Sequence, residues 1–195
     1  MIRTPTDKET VMYVCVQGHC DFDFMIMMDG SGSIGEANWL LMQSAVGTLL
    51  DVIDSNSKLG ETSRVGIIQF SHTQNHSRII EVELSENKTR AEIDTSTFVW
   101  HAGGTHPYYH LLLAISTLKN NTRFVGGSRI TATQGIILFT DGQFSGPGAR
   151  DILPTMLGLM DEGIHITLIG KSYPNNTTCT VVVFSTFSVR VHDHI

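Results

Sequence analysis

No stretch of this chain approaches the roughly 18 to 20 consecutive apolar residues needed to cross a bilayer. Its longest apolar runs, such as Phe22–Met28 and Gly135–Phe139, are of strand length. Basic clusters are missing as well: 13 Lys and Arg stand singly against 19 Asp and Glu, for a formal charge of -6. That leaves no basic stripe for a phosphate backbone, so nucleic acid is not an expected partner. The N-terminal MIRTPTDKETVMYVCV has no adequate hydrophobic region and no small-residue cleavage site, and as it stands is not a secretory signal. An extracellular protein would then be represented here by a piece of a longer one. Internal repeats and low-complexity tracts are absent. Cysteine is scarce: Cys15, Cys20 and Cys179 can form at most one intramolecular disulfide and leave one thiol over. Their spacing is a poor zinc signature. The expected pairing joins Cys20 to Cys179 or to Cys15, the former tying the start of the first strand to the segment after the last clear one.

What is present is ordinary for a folded domain. The 195 residues are 41% hydrophobic and 16% charged, enough apolar material for one core and too much for a disordered chain. N-glycosylation sequons begin at Asn75, Asn87, Asn120, Asn175 and Asn176, all in segments read as loops or element ends, where a glycan can be accommodated. They favour an extracellular or cell-surface location.

The coarse pattern alternates strands with helices. Phe22–Met28 is a near-continuous apolar run, as a strand buried on both faces would be, and Met25, Met27 and Met28 read as its core packing. Glu36–Ile53 places Trp39, Leu40, Met42, Val46, Leu49, Leu50 and Ile53 at helical spacing. Arg64–Phe70 and Arg78–Leu84 are strand-like, and a hairpin between them makes one strand antiparallel. A helical segment is expected from near Asn87 and another over Tyr108–Leu118, after Thr105 as a cap and Pro107 in the first turn. Gly135–Phe139 and Ile164–Ile169 are further strands, separated by a helix across Ala149–Met160 that Pro154 should restrict. Beyond Lys171 only one strand, Thr180–Val191, is expected. The fold class is therefore α/β: a doubly wound, mostly parallel sheet with one antiparallel edge strand and helices on both faces. The ligand site of such a sheet lies beyond the carboxyl ends of its strands.

At that edge the sequence is polar in a specific way. Asp29-Gly30-Ser31-Gly32-Ser33 follows the first apolar strand and supplies one carboxylate and two hydroxyls, all hard oxygen donors, from one glycine-rich turn. Gly103-Gly104-Thr105 precedes a helix, and Thr140-Asp141-Gly142 ends another apolar strand. Such donors suit Mg2+ (or Mn2+), which prefers octahedral oxygen coordination and keeps some waters, so an incomplete shell can accept a carboxylate from outside.

These three motifs, in this order and at these strand ends, resemble the metal-ion-dependent adhesion site of von Willebrand factor A domains, over about residues 20–170. The resemblance implies that Ser31 and Ser33 ligate the ion directly, that Thr105 contributes an exchangeable hydroxyl, and that Asp29 and Asp141 act mostly through water. It also implies a ligand-facing rim of Gly104, His106 and Gln143. The run DGSGSIGEANW, with a cysteine before the first strand, is most similar within that family to adhesive A domains of apicomplexan surface proteins related to the thrombospondin-related adhesive protein. Two features depart from the family: no last helix is recognisable after Ile169, and His106-Pro107 follows Thr105. Residues 1–19 form an N-terminal extension, and 20–195 the A-like domain, divergent or incomplete from about 171.

Other readings are weaker. His101, His106 and His110 surround the Gly-Gly-Thr loop, and His106 with His110 has a zinc-compatible spacing, but the simpler expectation is two rim residues and a solvent-facing His110. Ser31 or Ser33 as a nucleophile lacks the context of a nucleophile elbow, and no lysine follows the glycines as in a phosphate-binding loop. The expected function is thus not enzymatic. It is adhesion: a bound cation grips an acidic side chain of a partner protein, such as a host-cell receptor or matrix protein. The alternative is an intracellular A domain that serves as a scaffold in a larger assembly.

Overall fold

The computed structural model describes residues 21–71, 80–86, 88–121, 132–142, 144 and 148–170. The expected strand Thr180–Val191, the three cysteines, Gln143 and the sequon asparagines 75, 87, 175 and 176 lie outside the described residues.

Five strands and three α-helices follow one another: β1 (Phe22–Asp29), α1 (Glu36–Ser57), β2 (Arg64–Phe70), β3 (Ile80–Val82), α2 (Pro107–Asn121), β4 (Thr133–Thr140), α3 (Ile152–Asp161) and β5 (His165–Gly170). They form one sheet of order β3-β2-β1-β4-β5. β1 pairs in parallel with both β2 and β4, β4 pairs in parallel with β5, and β3 runs antiparallel on β2. The doubly wound, mostly parallel sheet with one antiparallel edge strand is as the sequence pattern implies.

Strand β1 explains why this sheet needs helices on both faces. Its side chains alternate across the sheet, and both sets are buried. Phe24, Ile26 and Met28 join Trp39, Met42, Val46, Leu50 and Ile53 of α1 in one core. Met25 and Met27 join Leu111, Ala114 and Leu118 of α2 and Ile152, Met156 and Leu159 of α3 in the other. Ile26 is fully buried; truncating such a residue to alanine typically costs about 2–5 kcal/mol.

Three local expectations are corrected. The segment after Asn87 is not an α-helix but two 3-10 turns, Arg90–Glu92 and Thr95–Thr97. Thr89 and Glu92 close a capping box at the first of these. Apolar spacing then fails: Thr95, Ser96 and Thr97 favour turns, and the Thr95 and Phe98 carbonyls accept from Gln43 Nε2 at 2.8 and 2.9 Å instead of continuing a helix. The expected helix across Ala149–Met160 begins as a 3-10 turn, Ala149–Asp151, and is α-helical only from Ile152. Pro154 thereby falls in the first α-helical turn, where its missing N–H costs nothing. His110, expected to face solvent, is buried, with Nδ1 3.0 Å from the His106 carbonyl oxygen and its ring tilted against Phe70.

The chain leaves β1 toward β2 on one side and reaches β4 on the other. The crevice beyond the carboxyl ends of β1 and β4 is therefore the topological switch point of the sheet, where folds of this kind place ligands.

Candidate functional site

β1 ends at Asp29 and β4 at Thr140. Asp29 is fully buried. Its Oδ1 accepts the Ser31 backbone N–H at 3.0 Å, which bends the chain into the Ser31–Ser33 turn, and its Oδ2 accepts the Thr140 hydroxyl at 2.8 Å. Thr140 Oγ1 in turn accepts the Gly142 N–H at 3.0 Å. One threonine thus joins the turn after β1 to the loop carrying Asp141. Ser31 and Ser33 present their hydroxyls to each other at 3.0 Å, with Ser31 buried and Ser33 exposed.

The third loop is tied to the first by its backbone. Gly32 N–H donates to the Gly103 carbonyl at 2.8 Å, and Trp100 Nε1 donates to the Ser31 carbonyl at 3.3 Å. A side chain on Gly32 would place its Cβ 3.2 Å from the Ala102 carbonyl oxygen, so the close approach of the two loops favours glycine there. Ala102 itself has φ of 53°, a left-handed conformation uncommon for alanine, which turns the chain toward Gly103, Gly104 and Thr105. Thr105 is buried; Gly104, His106 and Asp141 are partly exposed. The arrangement grades from a sealed base at Asp29 to an open rim.

Electrostatics distinguish this base from an ordinary buried carboxylate. Burial pushes the Asp29 carboxyl above its usual range; the hydrogen bonds from Ser31 and Thr140 draw it back, and the negative charge of Asp141 adds to the rise. None of these influences is a cation.

The donor set fits a small hard cation: two carboxylates and three hydroxyls from the loops after β1, before α2 and after β4. Asp29, Ser31, Ser33, Thr105 and Asp141 are the residues that would hold it. Among the described residues there is no group of three or more His, Cys, Asp or Glu that could hold a metal ion, so His106 and His110 do not form a zinc site of that kind. Sequence reasoning missed two polar residues of this region, Thr140 and Gln69. The first stood in the quoted Thr-Asp-Gly motif; the second sits inside an apolar strand and carries no local signal.

The class these features define is a doubly wound α/β domain whose polar loops converge at the switch point. A sequence profile of the von Willebrand factor type A domain matches residues 23–185, and the chain belongs to that family. Among similar proteins are the collagen alpha-6(VI) chain of Mus musculus, 28% identical over 87% of this chain and 7% of that one. Another is von Willebrand factor A domain-containing protein 2 of Mus musculus, 30% identical over 78% of this chain and 17% of that one. The chain thus spans less than a fifth of the length of these relatives. Among solved structures, the pilus adhesin SpaC of Lactobacillus rhamnosus GG superposes with a TM-score of 0.59 at 16% identity, covering 79% of this chain and 24% of that one. Proximal thread matrix protein 1 from the mussel byssus gives 0.55 at 22% identity, covering 78% and 38%. At these identities the two structures speak to the fold alone. No helix among the described residues is long and apolar enough to cross a membrane.

Proposed function

We propose that this chain is a metal-dependent adhesion domain that binds a partner protein outside the cell, and that it is not an enzyme. The observation that carries the reading is the Asp29 carboxylate, fully buried at the switch point and held by the Thr140 hydroxyl and the Ser31 N–H, with the Ser31 and Ser33 hydroxyls 3.0 Å apart beside it. A Mg2+ or Mn2+ ion bound there would supply Lewis acidity toward an anionic group. Asp29 forms the buried base of the site, Ser31 and Ser33 offer hydroxyls, Thr105 offers a hydroxyl from the opposite loop, and Asp141 adds charge from the end of β4. With the direct donors uncharged, an ion held this way keeps a strong attraction for an outside carboxylate. The partner is therefore a protein presenting Asp or Glu, and the collagen relatives favour a matrix protein over a cell-surface receptor. Gly104 and His106, both partly exposed, border the approach.

Two further observations support this reading. The hydroxyl partner of Ser31 is Ser33 and not an imidazole, so among the described residues this contact is not the one a nucleophilic serine needs. Asn120, which opens a glycosylation sequon, is exposed at the end of α2.

Melting curves in excess Mg2+, excess Mn2+ and EDTA test the ion, which should stabilise the fold by mass action. Water-proton relaxation of bound Mn2+ tests the incomplete shell: it should be enhanced by the protein and fall when acetate, a minimal carboxylate, displaces water. An unshifted melt in wild type, or the same shift in Asp141→Ala, would remove the reading.

A further inference from the structure

Gln69 is the penultimate residue of β2 and is buried, yet it is an amide in a strand otherwise lined by apolar groups and capped at its far end by Arg64. Its Nε2 donates to the Val99 carbonyl and to Glu81 Oε1, each at 2.8 Å, and its Oε1 accepts the His101 N–H at 3.1 Å. Both amide hydrogens and the oxygen are therefore engaged. The side chain also crosses over Gly30: a Cβ at that position would lie 2.1 Å from Gln69 Oε1 and 2.7 Å from Cδ. Gly30 N–H is meanwhile fixed to the Phe70 carbonyl at 2.9 Å.

One side chain thus touches two of the three loops that make up the candidate site. It lies against the Asp29–Ser31 bend and grips Val99 and His101 on either side of Trp100, whose indole donates to the Ser31 carbonyl. Ala102, in its left-handed conformation, and the Gly103 carbonyl that accepts Gly32 N–H come next, and Thr105 follows. Glu81, on the edge strand β3, is the remaining contact, and burial pushes its carboxyl up while Gln69 and the His101 charge lower it.

We infer that Gln69 is a positioning residue of the cation site: it sets where Thr105 stands relative to Ser31 and Ser33 by clamping the Val99–His101 backbone over Gly30. This rests on the metal-site reading above. Glutamine is specific to the task. Leucine fills the volume but leaves the Val99 carbonyl and His101 N–H without their partner. Glutamate cannot donate to Val99 and meets Glu81 as a like charge. Asparagine is a methylene too short to span both.

The test compares wild type, Gln69→Leu, Gln69→Asn and, as a control of similar burial away from the site, Val82→Ala. Calorimetric titration with Mn2+ gives the affinity, and hydrogen exchange in EDTA follows the His101 amide. Both Gln69 variants should bind Mn2+ about 10- to 100-fold more weakly, the range for groups that orient metal ligands. The His101 amide should exchange faster in them than in Val82→Ala at matched melting temperature. Val82→Ala should keep wild-type affinity. Wild-type affinity and unchanged His101 exchange in both Gln69 variants would overturn the inference while leaving the metal site standing. A wild type that binds no Mn2+ would overturn both.

Discussion

Strand β1 carries a buried aspartate near each end, and the two are treated oppositely by the rest of the molecule. Asp23, at the amino edge of the sheet, faces Arg64 of β2; Arg64 Nε donates to Asp23 Oδ1 at 2.7 Å and the guanidinium also reaches Oδ2, with both side chains sealed from solvent. Asp29, at the carboxyl edge, is equally buried but is met only by neutral donors and by the negative Asp141. One charge is answered inside the fold and the other is not. Ionised groups are rarely buried without a counter-charge, because desolvation is costly and hydrogen bonds offset it only in part. The Asp23 end carries its own counter-charge, and the Asp29 end, which has none among the groups that shift it, is the end proposed above for binding.

The largest expected effect tests the structural end. Arg64→Met should leave Asp23 buried without its guanidinium counter-charge, and removing one partner of such a pair costs about 3–5 kcal/mol. Urea denaturation in EDTA and in Mg2+ should show the same loss in both, since this pair lies at the opposite end of β1 from the candidate site. A loss that appears only with Mg2+ would break the comparison. The double variant Asp23→Leu with Arg64→Met should recover much of the stability, because packed apolar residues commonly replace a buried ion pair without loss.

Asp29→Asn should behave in the reverse manner. In EDTA the substitution removes a charge that the fold disfavours, so stability should stay level or rise. The sign follows from the raised pKa: the unfolded carboxyl ionises near 3.8, the folded one higher, so the metal-free wild type loses stability relative to the variant as pH rises through that window. With Mg2+ at about 100 times its dissociation constant, wild type should gain about 2.7 kcal/mol and Asp29→Asn almost none. Melting curves at acid and neutral pH, with and without Mg2+, read both signs. An EDTA-insensitive wild type, or a variant less stable than wild type in EDTA at neutral pH, would mean that Asp29 is a structural acceptor like any other.

The two ends also differ in how legible they were. Phe22–Met28 and Gly135–Phe139 announced their strands because central parallel strands are buried on both faces and read as unbroken apolar runs. Asp29, Ser31 and Ser33 stood out because one glycine-rich turn carries all three, and Asp141 because it directly follows a second apolar strand. The Asp23–Arg64 pair, Gln69 and the Thr140 bond to Asp29 did not stand out: each depends on a contact between distant parts of the chain, and a lone Gln or Arg beside an apolar run gives no sign of its partner. The turns at Arg90–Glu92 and Thr95–Thr97 were mistaken for a helix for the same reason. Their capping box is local, but the bonds that stop the helix come from Gln43.

The smallest expected effect lies at the rim and separates holding the ion from holding the fold. Thr105 is buried but sits in a loop, outside both apolar cores. Thr105→Ala removes the hydroxyl and the γ-methyl and leaves the Cβ; with neither apolar core touched, the melting temperature in EDTA should fall by only a few degrees, as a change of about 1 kcal/mol produces. The Mn2+ affinity should drop by about tenfold, equivalent to ~1.4 kcal/mol, because one of three neutral donors is deleted. Thr105→Ser, which keeps the hydroxyl, should restore most of that affinity. The acetate-dependent fall in Mn2+ water relaxation should weaken in Thr105→Ala and recover in Thr105→Ser if this hydroxyl is one of the ion's donors. If alanine and serine bind Mn2+ alike, the Gly103–Thr105 loop serves only to close the fold over Ser31, and the ion would be held from the β1 and β4 loops alone.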